Sequence, residues 1–118
     1  WGLVTNSAKF GNAVSNDYRA TFFEANPDLQ GKVIVHHAVE QQVLKRYPGT
    51  VTETEIHSLE NLRGIPKELN SDLHLSQIRR EWNQFYRQTP NPTKDQLLQK
   101  ATEIDRKFGS QFNPPVEP

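Results

Sequence analysis

The chain contains no cysteine, which excludes disulfides and thiolate metal sites; any bound metal must be held by histidine, carboxylate or amide groups. No window approaches the roughly 18 apolar residues of a membrane-spanning helix. The first residues, WGLVTNSAKF, lack the basic flank and long apolar core of a signal peptide. Net charge is also absent: 14 basic and 14 acidic residues cancel, which argues against a protein that holds nucleic acid mainly through a strong overall positive field. A soluble domain is expected, and, since the chain does not begin with Met, a piece of something longer.

At 118 residues the chain can bury one core but not two, so a single domain is expected over residues 1–118. Hydrophobic residues make up 34% and charged residues 24%, a polar composition that still permits a folded state. Charge is distributed unevenly. Arg79, Arg80 and Arg87 fall in one short segment, and Glu53, Glu55 and Glu60 in another.

Residues 1–31 are rich in Asn, Ser and Gly, with one short apolar patch at Tyr18, Phe22 and Phe23, and read as an arm packed on the rest. Asn26-Pro27-Asp28 reads as a turn. The β-branched run from Lys32 to His36 predicts a strand buried on at least one face. Val39, Val43 and Tyr47 recur at fourfold spacing and predict a short helix ended by Pro48-Gly49. Thr52 with Glu55, and Thr93 with Gln96, have the spacing of capping boxes. Asn61 to Pro66 reads as a short extended segment. Leu75, Ile78, Trp82 and Phe85 form one apolar stripe on a helix predicted over roughly 72 to 88, with the arginines mostly off it. The helix opened by Thr93 carries Leu97, Ala101, Ile104 and Phe108 inward, with Gly109 as its cap.

Two of the four histidines stand side by side in VHHAVE, at the end of the predicted strand. Neighbouring residues of a strand point to opposite sides, so only one of His36 and His37 can face an attacking water, and the two should have different tasks. Neutral imidazole, with an unperturbed pKa of about 6.5, can accept a proton or donate a lone pair to a cation near neutral pH. In chain order the informative residues are His36-His37, then Asn61, then His74 at the start of the arginine-bearing helix.

In that order, and in the words VHHAVEQQ, IHSLENLRGIP and LNSDLHLSQIRREWNQFY, the chain resembles the HNH, or His-Me finger, nucleases. The likeness is greatest to the nuclease toxin domains at the C-terminal ends of bacterial polymorphic toxins of the contact-dependent inhibition and Rhs type. It covers about residues 32–90, leaving the arm and the C-terminal helix and tail (91–118) outside. The resemblance implies an α+β fold, mostly helical, with a ββα-metal core built on a short two-stranded hairpin. It also implies hydrolysis of phosphodiester bonds, His36 and His74 as ligands of one divalent cation, His37 as general base, and Asn61 as the residue that orients it. Magnesium is the expected ion, with zinc or nickel also suited to two imidazoles.

Arg63, Arg79 and Arg80 are the residues expected to meet phosphate, which a guanidinium pairs in a forked geometry. His57 could supplement the site or merely cap a helix. Glu40 could orient a ligand or lie on a helix surface. The stretch from residue 38 to 60 is long enough for an inserted helix, so a tight hairpin is not expected. DNA is the preferred substrate, with an RNase of the transfer-RNA type as one alternative and a non-catalytic, metal-stabilised binding module as another. The resemblance further implies delivery as the C-terminal part of a larger secreted bacterial toxin, action in the cytoplasm of the target cell, and neutralisation by a cognate immunity protein.

Overall fold

The computed structural model describes residues 7–116. The β-branched run forms strand β1, Val33–His37, one residue later than predicted. It is entered through Gly31, whose φ of 84° is a left-handed conformation that residues with a Cβ rarely adopt. The second extended segment is strand β2, Leu62–Pro66. The strands pair antiparallel, with Val35 opposite Gly64, His36 opposite Arg63 and His37 opposite Leu62. Opposed residues share a face, so Val33, Val35, His37, Leu62 and Gly64 lie on one side of the hairpin. Ile34, His36, Arg63 and Ile65 lie on the other.

The first face is covered by helix α1, Tyr18–Ala25, whose N-terminus is capped by the Asp17 carboxylate accepting from the Ala20 N–H. Phe22 of α1 is buried with Val33, Val35 and Leu62, and Tyr18, Phe23 and Leu29 pack around them. A side chain at Gly64 would strike the Phe22 ring, Val33 and the Asn113 carbonyl, so glycine is what lets helix and tail approach the strand. The segment before α1 is stitched to the body of the protein. The Ala8 N–H donates to Thr102 Oγ1 (2.9 Å), the Gly11 N–H to Ser58 Oγ (3.0 Å) and the Ala13 N–H to the Thr54 carbonyl (2.9 Å).

The second face looks into the main core, where Ile65 joins Val39, Val43, Ile56, Leu73, Ile78, Trp82, Leu97, Ala101 and Ile104. Between the strands lie two single turns of helix, α2 (Val43–Arg46) and α3 (Glu53–Ile56). Val39 is buried ahead of α2 rather than in it, so the helix is shorter than the fourfold spacing predicts. The box at Thr52 is complete: the Glu55 N–H donates to Thr52 Oγ1 (3.2 Å) and the Thr52 N–H to Glu55 Oε1 (2.9 Å). The box at Thr93 likewise opens α6, Lys94–Phe108.

The arginine-bearing helix departs from its predicted stripe. It runs as α4 (Asn70–Asp72), a π-helical segment (Leu73–Ile78) and α5 (Arg79–Gln88). The wider π turn sets a five-residue step from Leu73 to Ile78, after which Trp82 and Tyr86 follow at fourfold spacing, and these four are buried. Leu75, expected inside, is 47% exposed. The result is an α+β architecture, mostly helical, around one two-stranded antiparallel hairpin. Among the described residues no helix is long and apolar enough to cross a membrane.

Candidate functional site

Strand β1 and the start of the connection that follows it border a cavity of about 290 Å³, lined by Tyr18, Arg19, Ile34, Val35, His36, His37, Glu40, Gln41, Gln42 and His74. Four of the nine residues named from sequence meet here: His36, His37, His74 and Glu40.

His36, on the core face of β1, lies against the π turn of the arginine-bearing helix, with ring centroids of His36 and His74 4.7 Å apart. Phe112 closes on the other side, edge to ring at 5.6 Å. The Nε2 of His36 is buried without a hydrogen-bond partner, a costly state for a ring nitrogen. His74 Nδ1 sits 3.3 Å from Asn70 Oδ1, one helical turn back. An amide oxygen only accepts, so that contact puts the His74 proton on Nδ1 and leaves its lone pair on Nε2. Burial holds His36 well below the ordinary imidazole pKa, and the neighbouring His74, Arg63 and His37 add to the effect. His74 is lowered by burial and then by Arg79. Both rings are therefore neutral at neutral pH, as ligation requires.

His37 points to the other side of the strand, as alternation demands. Its ring meets Tyr18 of α1 edge-on at 4.4 Å, and its Nε2 lies 3.2 Å from His57 Nδ1. Burial, then the proximity of His57, Arg19 and His74, lowers its pKa to about 3. Asn61 is buried, and none of its side-chain hydrogen bonds among the described residues goes to the His37 ring. Its Oδ1 accepts from the Val39 N–H (2.9 Å), and its Nδ2 donates to the carbonyls of Val39 (3.1 Å) and Ile56 (2.8 Å). Its carbonyl accepts from the Ala38 N–H (2.7 Å). It thus pins the chain just beyond His37 to the chain just before His57.

Arg63 differs from expectation. It is buried, and four of the five N–H donors of its guanidinium are engaged: Nε and Nη2 donate to the two oxygens of Asp105 (3.1 and 2.8 Å), and Nη1 to the carbonyls of Glu60 and Leu62. It holds the hairpin to α6, buried in an ion pair and away from the cavity lining, so no forked face of the guanidinium is presented to phosphate there. Glu40 lines the cavity but accepts from Tyr86 Oη (2.7 Å) and Gln42 Nε2 (2.6 Å). Burial raises its pKa, against the pull of those two bonds and of Arg79 and Arg46.

Arg79 and Arg80 are exposed, and no ion pair among the described residues involves either. Arg79 lies close enough to His74 and Glu40 to perturb both, whereas Arg80 donates to Ser76 Oγ at 3.4 Å. Glu81, on the same helix, pairs with Lys100 and Lys107 rather than with either arginine.

Two site residues come from the arm, outside the stretch that carries the resemblance. Tyr18 backs His37, and Arg19 reaches the cavity with its guanidinium 4.8 Å above the Tyr18 ring. The fourfold spacing of Tyr18 and Phe22 was the available signal, because it places both on one face of a helix. Among the described residues no group of three or more His, Asp or Glu side chains is arranged to hold a metal ion. The two imidazoles brought together on the core side of β1 are those of His36 and His74.

Comparison of the chain with protein-family models, with curated proteins and with solved structures returned no match.

Proposed function

We propose that the chain is a metal-dependent endonuclease of the His-Me finger type, with a ββα-metal core formed by β1, β2 and the π-containing helix. The observation that carries this reading is the meeting of His36 and His74 at one cavity, with His36 Nε2 buried and unpartnered and His37 beside it on the opposite face of the strand.

The donor set fits a divalent cation held by His36 and His74. Two neutral imidazoles with free Nε2 positions are suitable ligands, and two protein ligands leave coordination positions for water and phosphate oxygens. Magnesium is the expected ion in the cell, with zinc or nickel favoured by nitrogen donors in purified protein. Bound there, the cation would neutralise charge growing on the phosphate and on the leaving oxygen.

The remaining steps belong to the chain. His37, neutral above about pH 3, offers a lone pair to water; the water oxygen attacks phosphorus, the bond to the leaving oxygen breaks, and the proton rests on His37. An anionic phosphate arriving beside His37 favours the imidazolium and so raises the proton affinity that burial has lowered. Arg19, which lines the cavity, and Arg79, exposed and near enough to His74 and Glu40 to perturb both, are the guanidinium groups offered to orient that phosphate. Asn61 keeps the two loops behind the base in place.

DNA is the proposed substrate, and the biological role is that of an antibacterial toxin domain, delivered by a larger protein into the target cytoplasm and neutralised by an immunity protein. The test is cleavage of plasmid DNA and of total RNA by the purified chain, with magnesium, manganese, zinc or nickel and with chelator. Metal-dependent nicking of plasmid is expected, and His37→Ala should abolish it while leaving folding and metal binding intact. Cleavage of RNA alone would move the assignment to an RNase on the same scaffold. Metal-dependent melting without cleavage of either would reduce the site to a structural one.

A further inference from the structure

His57 stands outside the cavity lining, yet it makes the only side-chain hydrogen bond recorded for the His37 ring among the described residues. The rings meet at 72°, with centroids 5.2 Å apart, and Tyr18 lies parallel to His57 at 5.6 Å while its edge touches His37. Both histidines are buried. The position of His57 is set from behind: it follows α3 directly and its N–H donates to the carbonyl of Glu53, the first residue of that turn, whose start the capping box fixes, and Asn61 holds the Ile56 carbonyl next to it.

A neutral imidazole has one N–H and one lone pair. Where two neutral rings share a single hydrogen bond, one of two arrangements holds. If His57 donates, the Nε2 lone pair of His37 is consumed and His37 Nδ1 carries the proton, leaving His37 no lone pair. If His37 donates from Nε2, its lone pair is on Nδ1 and free. We propose that His57 is the positioning residue of the site: its Nδ1 accepts the Nε2–H of His37 and fixes the tautomer whose Nδ1 takes the proton from water. The inference rests on the reading of His37 as the base. A neutral acceptor behind Nε2 also stabilises the imidazolium that forms there, which a donor would oppose.

The experiment uses the full chain. In chelated wild-type protein, nitrogen-15 spectra of the histidine rings are expected to show His37 unprotonated at Nδ1 and protonated at Nε2; the reverse pattern overturns the proposal whether or not the chain cleaves nucleic acid. His57→Leu should lower kcat on the nucleic acid that wild type cleaves by about 10- to 100-fold with little change in KM, the range seen when partners behind a functional histidine are removed. His57→Asn, which can present Oδ1 where Nδ1 lies, should restore most of the rate. A folded His57→Leu with wild-type kcat overturns the proposal while leaving the nuclease reading intact; retained cleavage by His37→Ala overturns the assignment of His37 as the base, and with it the proposal, whereas absence of cleavage by wild type overturns the nuclease reading itself. Should His57→Leu fail to fold, the wild-type spectra decide.

Discussion

Asn61 makes three side-chain hydrogen bonds and none reaches a histidine ring. It acts on the site through backbone, as a tie between the loop that follows β1 and the loop that follows α3. Asn61→Ala is therefore expected to lower stability by about 1–3 kcal/mol for each backbone group it leaves unpaired in the interior, read from urea melts. It should also depress kcat while zinc affinity, measured calorimetrically, stays near wild type. Asn61→Asp keeps the acceptor for Val39 but loses both donors when ionised, and should recover only part of the loss. His36, His37 and His74, singled out by type and order, do meet at one cavity, whereas Asn61 lies behind it and bonds to backbone rather than to the His37 ring. Arg63 was misjudged because its partner, Asp105, lies in α6, outside the stretch that carries the resemblance, and neither spacing nor composition announces such a contact. His57 was visible as a residue but not as a neighbour of His37, since the turn of α3 is what brings it there.

Elements whose signals are local were read well. Both capping boxes and the two strands stand where short-range chemistry puts them, within a residue at the start of each strand. The helical stripe was misread at its beginning because a π turn changes the period from inside, and no residue type marks one. That turn carries His74, so the irregularity lies at the site itself. Gly64 is the other position where an element depends on a neighbour that sequence does not reveal. Gly64→Ala should cost about 1–3 kcal/mol through overpacking against Phe22, Val33 and the Asn113 carbonyl. Thermal or urea unfolding checks it, and an unchanged midpoint would mean that helix α1 and the tail yield freely.

Over the whole molecule, two buried neutral imidazoles make stability depend on pH. His36 and His37 have folded pKa values below the ordinary value, so between about pH 6.5 and about pH 3 the unfolded chain binds protons that the folded chain refuses. Stability should be complete above that window and fall as pH drops through it. The expected loss is on the order of 2 kcal/mol between about pH 7 and about pH 5.5, from about 1.4 kcal/mol per pH unit per group. Urea midpoints in chelator across that range measure it, and a flat profile would contradict the neutral burial of the pair. Divalent cation bound at His36 and His74 should raise the midpoints by mass action. The ion pair of Arg63 with Asp105 bears on how the chain is made. A guanidinium packed behind the hairpin and left unpaired costs about 3–5 kcal/mol, a large part of the 5–15 kcal/mol that stabilises a typical domain. A chain emerging N-terminus first from a ribosome carries all four histidines out well before Asp105 arrives. Until α6 docks, Arg63 has no carboxylate to pair with, so the hairpin that carries His36 and His37 reaches its final stability only with the last helix in place.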